Sequence, residues 1–263
     1  MKLGISTASF YPLETEYALL EIAKNHIPYT EIFYNAKKEL KPYFTDKILD
    51  IKEEYGTEIV AIHPMMSLAE PYTIFSDYER RFDEAREDFL LYFETAAAIG
   101  AKFINLHGDK KFGKLENEEY FERFGILAED AKSFGVTLCQ ENVNAYRSAD
   151  PEFLKEMSTY LGDLANFTFD IKQSIRAGYS TSEILEAMGN KIRHIHISDH
   201  SPACDCLLPL SGGFDFKEFF KTLSNIGYEG ALLIEVYKSA YKNTDEIFES
   251  LNSLKKQTEE YFK

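Results

Sequence analysis

The 263-residue chain has no tryptophan, only three cysteines and no apolar run long enough to cross a membrane. Its amino terminus enters a strand-like pattern at once, without the apolar core of a signal peptide. An odd cysteine count without an export signal favours a reducing compartment. We therefore expect a cytoplasmic protein with no membrane partner.

Positive charge is also scarce. The chain has 29 Lys and Arg against 44 Asp and Glu, a formal net charge of −15. Its basic clusters are no longer than pairs such as Lys110-Lys111, which are typical of solvated helix faces. Because an acidic surface repels phosphate backbones, we expect no nucleic-acid partner.

No linker, low-complexity tract or shift in composition divides the chain, which predicts a single domain over residues 1–263. Eight short apolar segments alternate with helical periods, as in a parallel sheet covered by helices. These segments are Lys2–Thr7, Tyr29–Phe33, Glu58–His63, Lys102–His107, Val136–Glu141, Asn166–Asp170, Ile192–Ser198 and Ala231–Val236.

The helical periods lie between the predicted strands. In Asp77–Ile99, for example, large apolar residues recur at three-to-four spacing. Four glycines stand where a helix would stop before a strand: Gly56, Gly100, Gly135 and Gly227. Candidate N-caps are Asp46, Asp77, Asp150 and Ser182.

Eight strand–helix units in about 250 residues match the size of a (β/α)8 TIM barrel. An open doubly wound sheet is the competing architecture. The turn after the first strand, residues 7–12, lacks the Gly-x-Gly-x-x-Gly fingerprint of a dinucleotide-binding sheet. The α/β barrel is therefore the predicted fold class.

Four consecutive strands in the second half of the chain each end on a residue that can bind a metal. These residues are Glu141, Asp170, His196 and Glu235. His63 and His107 end the third and fourth strands. Because barrel active sites lie at the carboxyl ends of the strands, the pattern predicts one shared site. We place His196 at the rim, since it lies nearer the strand's carboxyl end, and expect His194 to point away.

Three carboxylates and one imidazole suit a divalent metal such as Mn²⁺, Mg²⁺ or Co²⁺, and Zn²⁺ also fits. Such an ion can polarise a sugar carbonyl and acidify the neighbouring C–H bond. If Glu141 and Glu235 flank the substrate, one can remove a proton and the other return it. This chemistry is epimerisation or isomerisation through an enediolate.

Four stretches carry a family resemblance: Gln140-Glu141-Asn142, Phe169-Asp170, residues 194–199 and Ile234-Glu235-Val236. They resemble the xylose isomerase-like TIM barrels, which include sugar isomerases and epimerases, inosose dehydratases and endonuclease IV. The resemblance implies that Glu141, Asp170, His196 and Glu235 hold one divalent metal and that the two glutamates transfer protons. It further implies that His63 and His107 contact substrate or bind additional metals.

The chain departs from the nuclease pattern. Gln173 stands where endonuclease IV has a histidine ligand, and Leu207 stands where a second histidine would fall. The remaining candidates for substrate binding, beside His63 and His107, are Lys172, Gln173 and Asp199.

The predicted function is a metal-dependent isomerase or epimerase acting on a small-molecule carbohydrate. No Lys or Arg lies between Arg193 and Lys217, which favours an unphosphorylated sugar. Lys172, Arg147 and Arg176 are basic residues that could bind a phosphate group, so a sugar phosphate is an alternative substrate. Alternatives are an inosose dehydratase-like lyase, an endonuclease IV-like phosphodiesterase and a non-catalytic sugar-binding barrel. The sequence is also compatible with a homo-oligomer.

Overall fold

Eight parallel strands close into a barrel in the computed structural model, which describes residues 1–64 and 68–262. The chain also forms a small two-stranded hairpin. The strands are β1 (Lys2–Ser6), β2 (Tyr29–Tyr34), β3 (Glu58–Pro64), β4 (Phe103–Leu106), β5 (Thr137–Glu141), β6 (Phe167–Asp170), β7 (Ile192–Ile197), β8 (Asp199–Ser201), β9 (Cys204–Leu207) and β10 (Ala231–Ile234).

The barrel order is β1-β10-β7-β6-β5-β4-β3-β2, and β2 pairs with β1 to complete the circle. Because β10 also pairs with β1 in parallel, the sheet has no free edge. The predicted (β/α)8 barrel is confirmed, and an open doubly wound sheet is excluded.

Helices connect the strands and cover the outside of the barrel. They are α1 (Thr15–Lys24), α2 (Pro42–Tyr55), α3 (Glu79–Ile99), α4 (Asn117–Ser133), α5 (Pro151–Leu161), α6 (Ile171–Ala177), α7 (Thr181–Met188), α8 (Phe216–Asn225) and α9 (Thr244–Thr258). Their apolar faces bury large side chains such as Phe89, Phe93 and Phe220 against the outward side of the strands. None of the helices in the described ranges has both the length and the apolarity that a bilayer crossing demands.

A small apolar cluster of Val60, Ala61, Ala231 and Leu233, with Tyr29 and Phe103 packed against it, lies apart from the main core. A rim hairpin, formed by β8 and β9, follows β7 directly. The sequence predicts only a loop in that segment, so the hairpin is a new element at the carboxyl end of the barrel.

Candidate active site and metal centre

The four predicted ligands come from neighbouring strands, in the barrel order β5, β6, β7 and β10. Glu141 ends β5, Asp170 ends β6, and Glu235 follows β10 directly. His196 on β7 is in register with Asp170 on one side and with Leu233 on the other. The parallel ladder therefore brings four ligand-type side chains to one end of the barrel.

The three carboxylates converge on one nitrogen of His196. Its Nδ1 atom lies 3.3 Å from Glu235 Oε2, 3.7 Å from Glu141 Oε1 and 3.9 Å from Asp170 Oδ2. His196 Nδ1 and Glu235 Oε2 are buried and have no hydrogen-bond partner among the described residues. Buried polar atoms without partners are costly, and a bound cation would satisfy both of them. This donor set fits a divalent metal.

The carboxylates differ in their surroundings. Burial opposes the charge of Glu141, but His107, His196 and His63 outweigh it and hold the pKa of Glu141 well below its usual value. Burial likewise opposes the charge of Glu235, whose pKa is lowered by His196 and Lys172. Glu141 is buried, whereas the Glu235 side chain is 16% exposed. The lowered pKa values keep both glutamates ionised, which is the form in which a carboxylate can accept a proton.

Lys172 lies inside this group of carboxylates. Its side chain is 3% exposed, and Nζ donates hydrogen bonds to Asp170 Oδ2 at 2.9 Å and to Glu235 Oε1 at 3.2 Å. Burial disfavours the ammonium, but Asp170 and Glu235 outweigh it and raise the pKa of Lys172 well above its usual value. The sequence candidate Lys172 is thus a charged hydrogen-bond donor next to the ligands.

His63 and His107 form a second group on the other oxygen of Glu141. Glu141 Oε2 lies 3.3 Å from His63 Nε2 and 3.1 Å from His107 Nε2. His63 Nδ1 lies 3.1 Å from the carbonyl of Pro64. Burial opposes the charge of His63, but Glu141 raises the pKa of His63 to about 9. These three residues are close enough to hold a cation together, and the contact of His63 and His107 with substrate stays a prediction.

Gln173 and Asp199 lie at the same rim, where their side chains hold backbone segments. Gln173 Oε1 accepts a hydrogen bond from the amide of Asn144 at 3.0 Å. The carboxylate of Asp199 accepts from the amides of Gly212 and Phe214, at 2.8 and 2.9 Å. Both residues therefore shape the loops around the candidate site, and their contact with substrate stays a prediction.

Glu31 on β2 lies next to the predicted metal ligands. Its position in the second predicted strand did not by itself indicate a role. Glu31 is fully buried, and its Oε2 atom lies 3.0 Å from His194 Nε2 and 3.1 Å from His196 Nε2. The prediction that His194 points away from His196 is wrong, because side chains two residues apart on a strand share a face. A lone carboxylate within the apolar strand Tyr29–Phe33 was the signal that could have identified Glu31.

Comparisons with known proteins agree with the fold. One solved structure, described as a D-tagatose 3-epimerase-like protein, has a TM-score of 0.83 and 23% identity, covering 99% of this chain and 98% of that one. A second, the IOLI protein with a bound zinc atom, has a TM-score of 0.78 and 21% identity, covering 100% and 99%. An inosose dehydratase of Clostridium botulinum is 23% identical over 189 residues, 59% of this chain and 63% of that protein.

The family model described as the xylose isomerase-like TIM barrel matches residues 19–257. That range covers most of the chain and includes all four ligand-type residues at the ends of β5, β6, β7 and β10. The family resemblance carried by those strand ends is confirmed, and this chain belongs to the xylose isomerase-like TIM barrel family.

Proposed function

We propose that the protein is a divalent-metal-dependent sugar epimerase or isomerase that transfers a proton at the carbon next to a carbonyl. The observation that carries this proposal is the convergence of Glu141, Asp170 and Glu235 on His196 Nδ1. The similarity to an epimerase-like protein and to a zinc-binding barrel supports it.

A divalent ion held by these four residues would bind neighbouring sugar oxygens and polarise the carbonyl. One of Glu141 and Glu235, in its ionised form, accepts the substrate proton, and the other, in its protonated form, returns a proton on the opposite face, because β6 and β7 separate their strands. Lys172 donates a hydrogen bond to a substrate oxygen beside Glu235. His63 and His107 orient the substrate at Glu141.

The proposed substrate is unphosphorylated, because the two nearby arginines are already engaged. Arg176 donates to both oxygens of Asp205 and to the Tyr237 hydroxyl. Arg147 donates to Asn117 and to the carbonyl of Leu115, and lies beside Asp109. A phosphate at this rim would have to displace these contacts. A neutral ketose is therefore the favoured class.

The test is exchange of deuterium from solvent into ketoses, including D-tagatose, incubated with the protein and Mn²⁺ in deuterated water. We expect deuterium at the carbon beside the carbonyl, detected by mass spectrometry and proton NMR. Glu235→Gln should lower the exchange rate by about 10²–10⁴-fold, because it removes an acid–base group. Glu229→Gln, at an exposed position before β10, is the matched control and should exchange like the wild type.

Two results would contradict the proposal. One is the absence of deuterium incorporation into any ketose, which would argue for a non-catalytic sugar-binding barrel if the ketose still binds. The other is turnover without solvent deuterium, which would indicate a hydride shift instead of proton transfer.

A lyase is the second candidate, and the similarity to an inosose dehydratase supports it. Abstraction of a proton beside a carbonyl also begins a dehydration, so the same glutamates would serve. Loss of water from an inosose, seen as a mass decrease of the product, would identify this activity. A phosphodiesterase is disfavoured by Gln173 and by the net charge of −15, and we expect abasic-site DNA to stay intact.

A further inference from the structure

Glu31 lies on β2, on the far side of His196 from the three carboxylates. Its Oε2 atom accepts a hydrogen bond from His196 Nε2 at 3.1 Å. The other ring nitrogen, Nδ1, faces Glu141, Asp170 and Glu235. The His196 imidazole therefore contacts Glu31 through one nitrogen and faces three other carboxylates with the second nitrogen.

This arrangement determines where the ring carries its proton. A carboxylate accepts hydrogen bonds, so Nε2, 3.1 Å from Glu31, is the nitrogen that bears hydrogen, whereas Nδ1 has no hydrogen-bond partner among the described residues. In the neutral imidazole the other nitrogen, Nδ1, then carries the lone pair that a metal needs. A carboxylate behind a ligating histidine is a recurrent way to set ring orientation and ligand basicity.

Glu31 is itself held rigidly inside the barrel. Asn105 Nδ2 donates to its Oε2 atom at 2.6 Å, and the Ser6 hydroxyl donates to Oε1 at 3.0 Å. Thr168 donates to Asn105 Oδ1 at 2.6 Å, which fixes the direction of that amide. All four side chains are completely buried. A carboxylate held by donors from β1 and β4, one of them fixed in turn from β6, cannot easily turn away from His196.

We propose that Glu31 is a positioning residue that holds His196 with its proton on Nε2 and its Nδ1 lone pair aimed at Glu141, Asp170 and Glu235. The inference rests on the proposed function only in assuming a metal at that site. It does not depend on which sugar the protein converts or on whether turnover occurs.

A competing interpretation makes Glu31 a metal ligand, together with the Nε2 atoms of His194 and His196, which lie close enough to share a cation. The hydrogen bonds favour the positioning role. The short bond from Asn105 Nδ2 already occupies Glu31 Oε2, and His196 Nε2 is within hydrogen-bond distance of the same oxygen. The two interpretations differ in metal stoichiometry, which the experiment measures.

The experiment is titration of the metal-free protein with Co²⁺, followed by visible absorption, which reports affinity, stoichiometry and coordination geometry. Glu31→Gln keeps the shape of the side chain and removes its charge. We expect one Co²⁺ per chain in both proteins and a dissociation constant raised by about 10–100-fold in Glu31→Gln. Long-range ¹⁵N–¹H NMR of histidine-labelled protein with Zn²⁺ should show His196 bound through Nδ1 and protonated at Nε2.

Thr30→Val is the matched control. Thr30 precedes Glu31 on β2 and is equally buried, and its hydroxyl donates to the backbone carbonyls of Ile5 at 2.8 Å and of Glu31 at 3.3 Å. Its replacement disturbs the same strand without touching His196, so stability should fall while Co²⁺ affinity and the absorption spectrum stay unchanged. If Glu31 had only a structural role, Glu31→Gln and Thr30→Val would lower the melting temperature by similar amounts and would bind Co²⁺ with the same affinity.

Three outcomes would overturn the inference. They are unchanged Co²⁺ affinity in Glu31→Gln, loss of a whole metal equivalent in that variant, and an NMR spectrum with His196 bound through Nε2. The proposed function is measured separately by deuterium exchange. A wild type that binds Co²⁺ as expected but exchanges no deuterium would leave the inference intact and refute the function.

Discussion

At the scale of single residues, Lys172 is the unusual member of the candidate site. Its ammonium lies between Asp170 and Glu235, which are also proposed to bind a metal. A cation already inside the ligand group reduces the repulsion among the carboxylates. It also reduces the negative potential that a metal ion would meet. We therefore expect Lys172 to stabilise the metal-free protein and to weaken metal binding.

Lys172→Met should reverse both effects. Without the ammonium, the carboxylates lose a buried partner, and we expect the metal-free variant to lose about 3 kcal/mol of unfolding free energy. For a chain of this length that is a decrease of roughly 6–12 °C in melting temperature. Addition of Mn²⁺ should then raise the melting temperature more in the variant than in the wild type, as measured by differential scanning fluorimetry.

Lys191→Met is the control for that measurement. Among the described residues, Lys191 Nζ donates to two backbone carbonyls, those of Ser158 and Gly162, at 2.9 and 2.7 Å. Its loss should lower the melting temperature without changing the increment caused by Mn²⁺. If Lys172→Met and Lys191→Met respond to Mn²⁺ equally, Lys172 does not compete with the metal.

The ligand-type residues could be predicted from the sequence because strand ends are local features. Glu141, Asp170 and His196 each end or nearly end an apolar run, and parallel strands bring such ends together. The contact between Glu31 and His196 could not be predicted in this way. It joins residues 165 positions apart across the barrel, and no local pattern gives the direction in which a side chain crosses the interior.

At the scale of elements, an ion pair joins the rim hairpin to α6. Arg176 on α6 contacts Asp205 on β9 through two hydrogen bonds, of 2.6 and 3.1 Å, and also donates to Tyr237. Tyr237 lies two residues after Glu235, and Lys172 lies 5.5 Å from its ring. Arg176 therefore couples the position of the hairpin to the ligand end of β10.

Asp205→Asn should loosen the rim hairpin. Because a surface ion pair contributes up to about 1 kcal/mol, we expect amide hydrogen exchange over residues 199–207 to become roughly threefold to fivefold faster. Asp130→Asn breaks an equally well-formed pair with Arg86, between α3 and α4, and should leave the hairpin unchanged. Equal exchange in the hairpin of both variants would show that the Arg176 contact does not hold it.

Helix ends were predicted from the sequence better than helix starts. Gly56 and Gly100 follow α2 and α3 in the left-handed conformation, as predicted, because that backbone region favours glycine. Asp150 caps α5 as predicted. The prediction for Asp46 is wrong, since α2 begins four residues earlier at Pro42, whose ring is preorganised for a first turn.

Two further starts were misplaced by one or two residues. Ser180 caps α7 in place of Ser182, because its hydroxyl reaches the amide of Glu183 and the carboxylate of Glu183 bonds back. Tyr78, the residue after Asp77, holds the cap position of α3. Several polar residues near a helix start can each serve as a cap, so the choice depends on the path of the preceding loop.

At the scale of the whole molecule, the barrel brings together charges that are far apart in the chain. Glu31, Glu141, Asp170 and Glu235 all lie within 4 Å of a ring nitrogen of His196, in a protein that already has a net charge of −15. The alternation of strands and helices was sufficient to predict this architecture. The rim hairpin could not be predicted, because its strands of three and four residues are too short to show a period.

Such a concentration of negative charge predicts that a bound divalent metal stabilises the entire fold. A ligand present at 100 times its dissociation constant adds about 2.7 kcal/mol to the unfolding free energy. For a chain of this length that corresponds to a rise of roughly 5–10 °C in melting temperature, which a chelator should reverse. The measurement is calorimetry of the metal-free protein with and without Mn²⁺, repeated with Co²⁺ and Zn²⁺.

Asp170→Asn separates metal binding from the structural role of the same residue. Asp170 Oδ1 accepts from the amide of Gln173 and caps α6, a contact that asparagine can also make, whereas Oδ2 faces His196. The variant should therefore stay folded and lose most of the stabilisation by metal. An equal rise in melting temperature for both proteins would place the metal elsewhere, and no rise in the wild type with any of the three ions would argue against a metal centre. A rise confined to the wild type would show that the end of the barrel that concentrates the acidic charge also binds the cation.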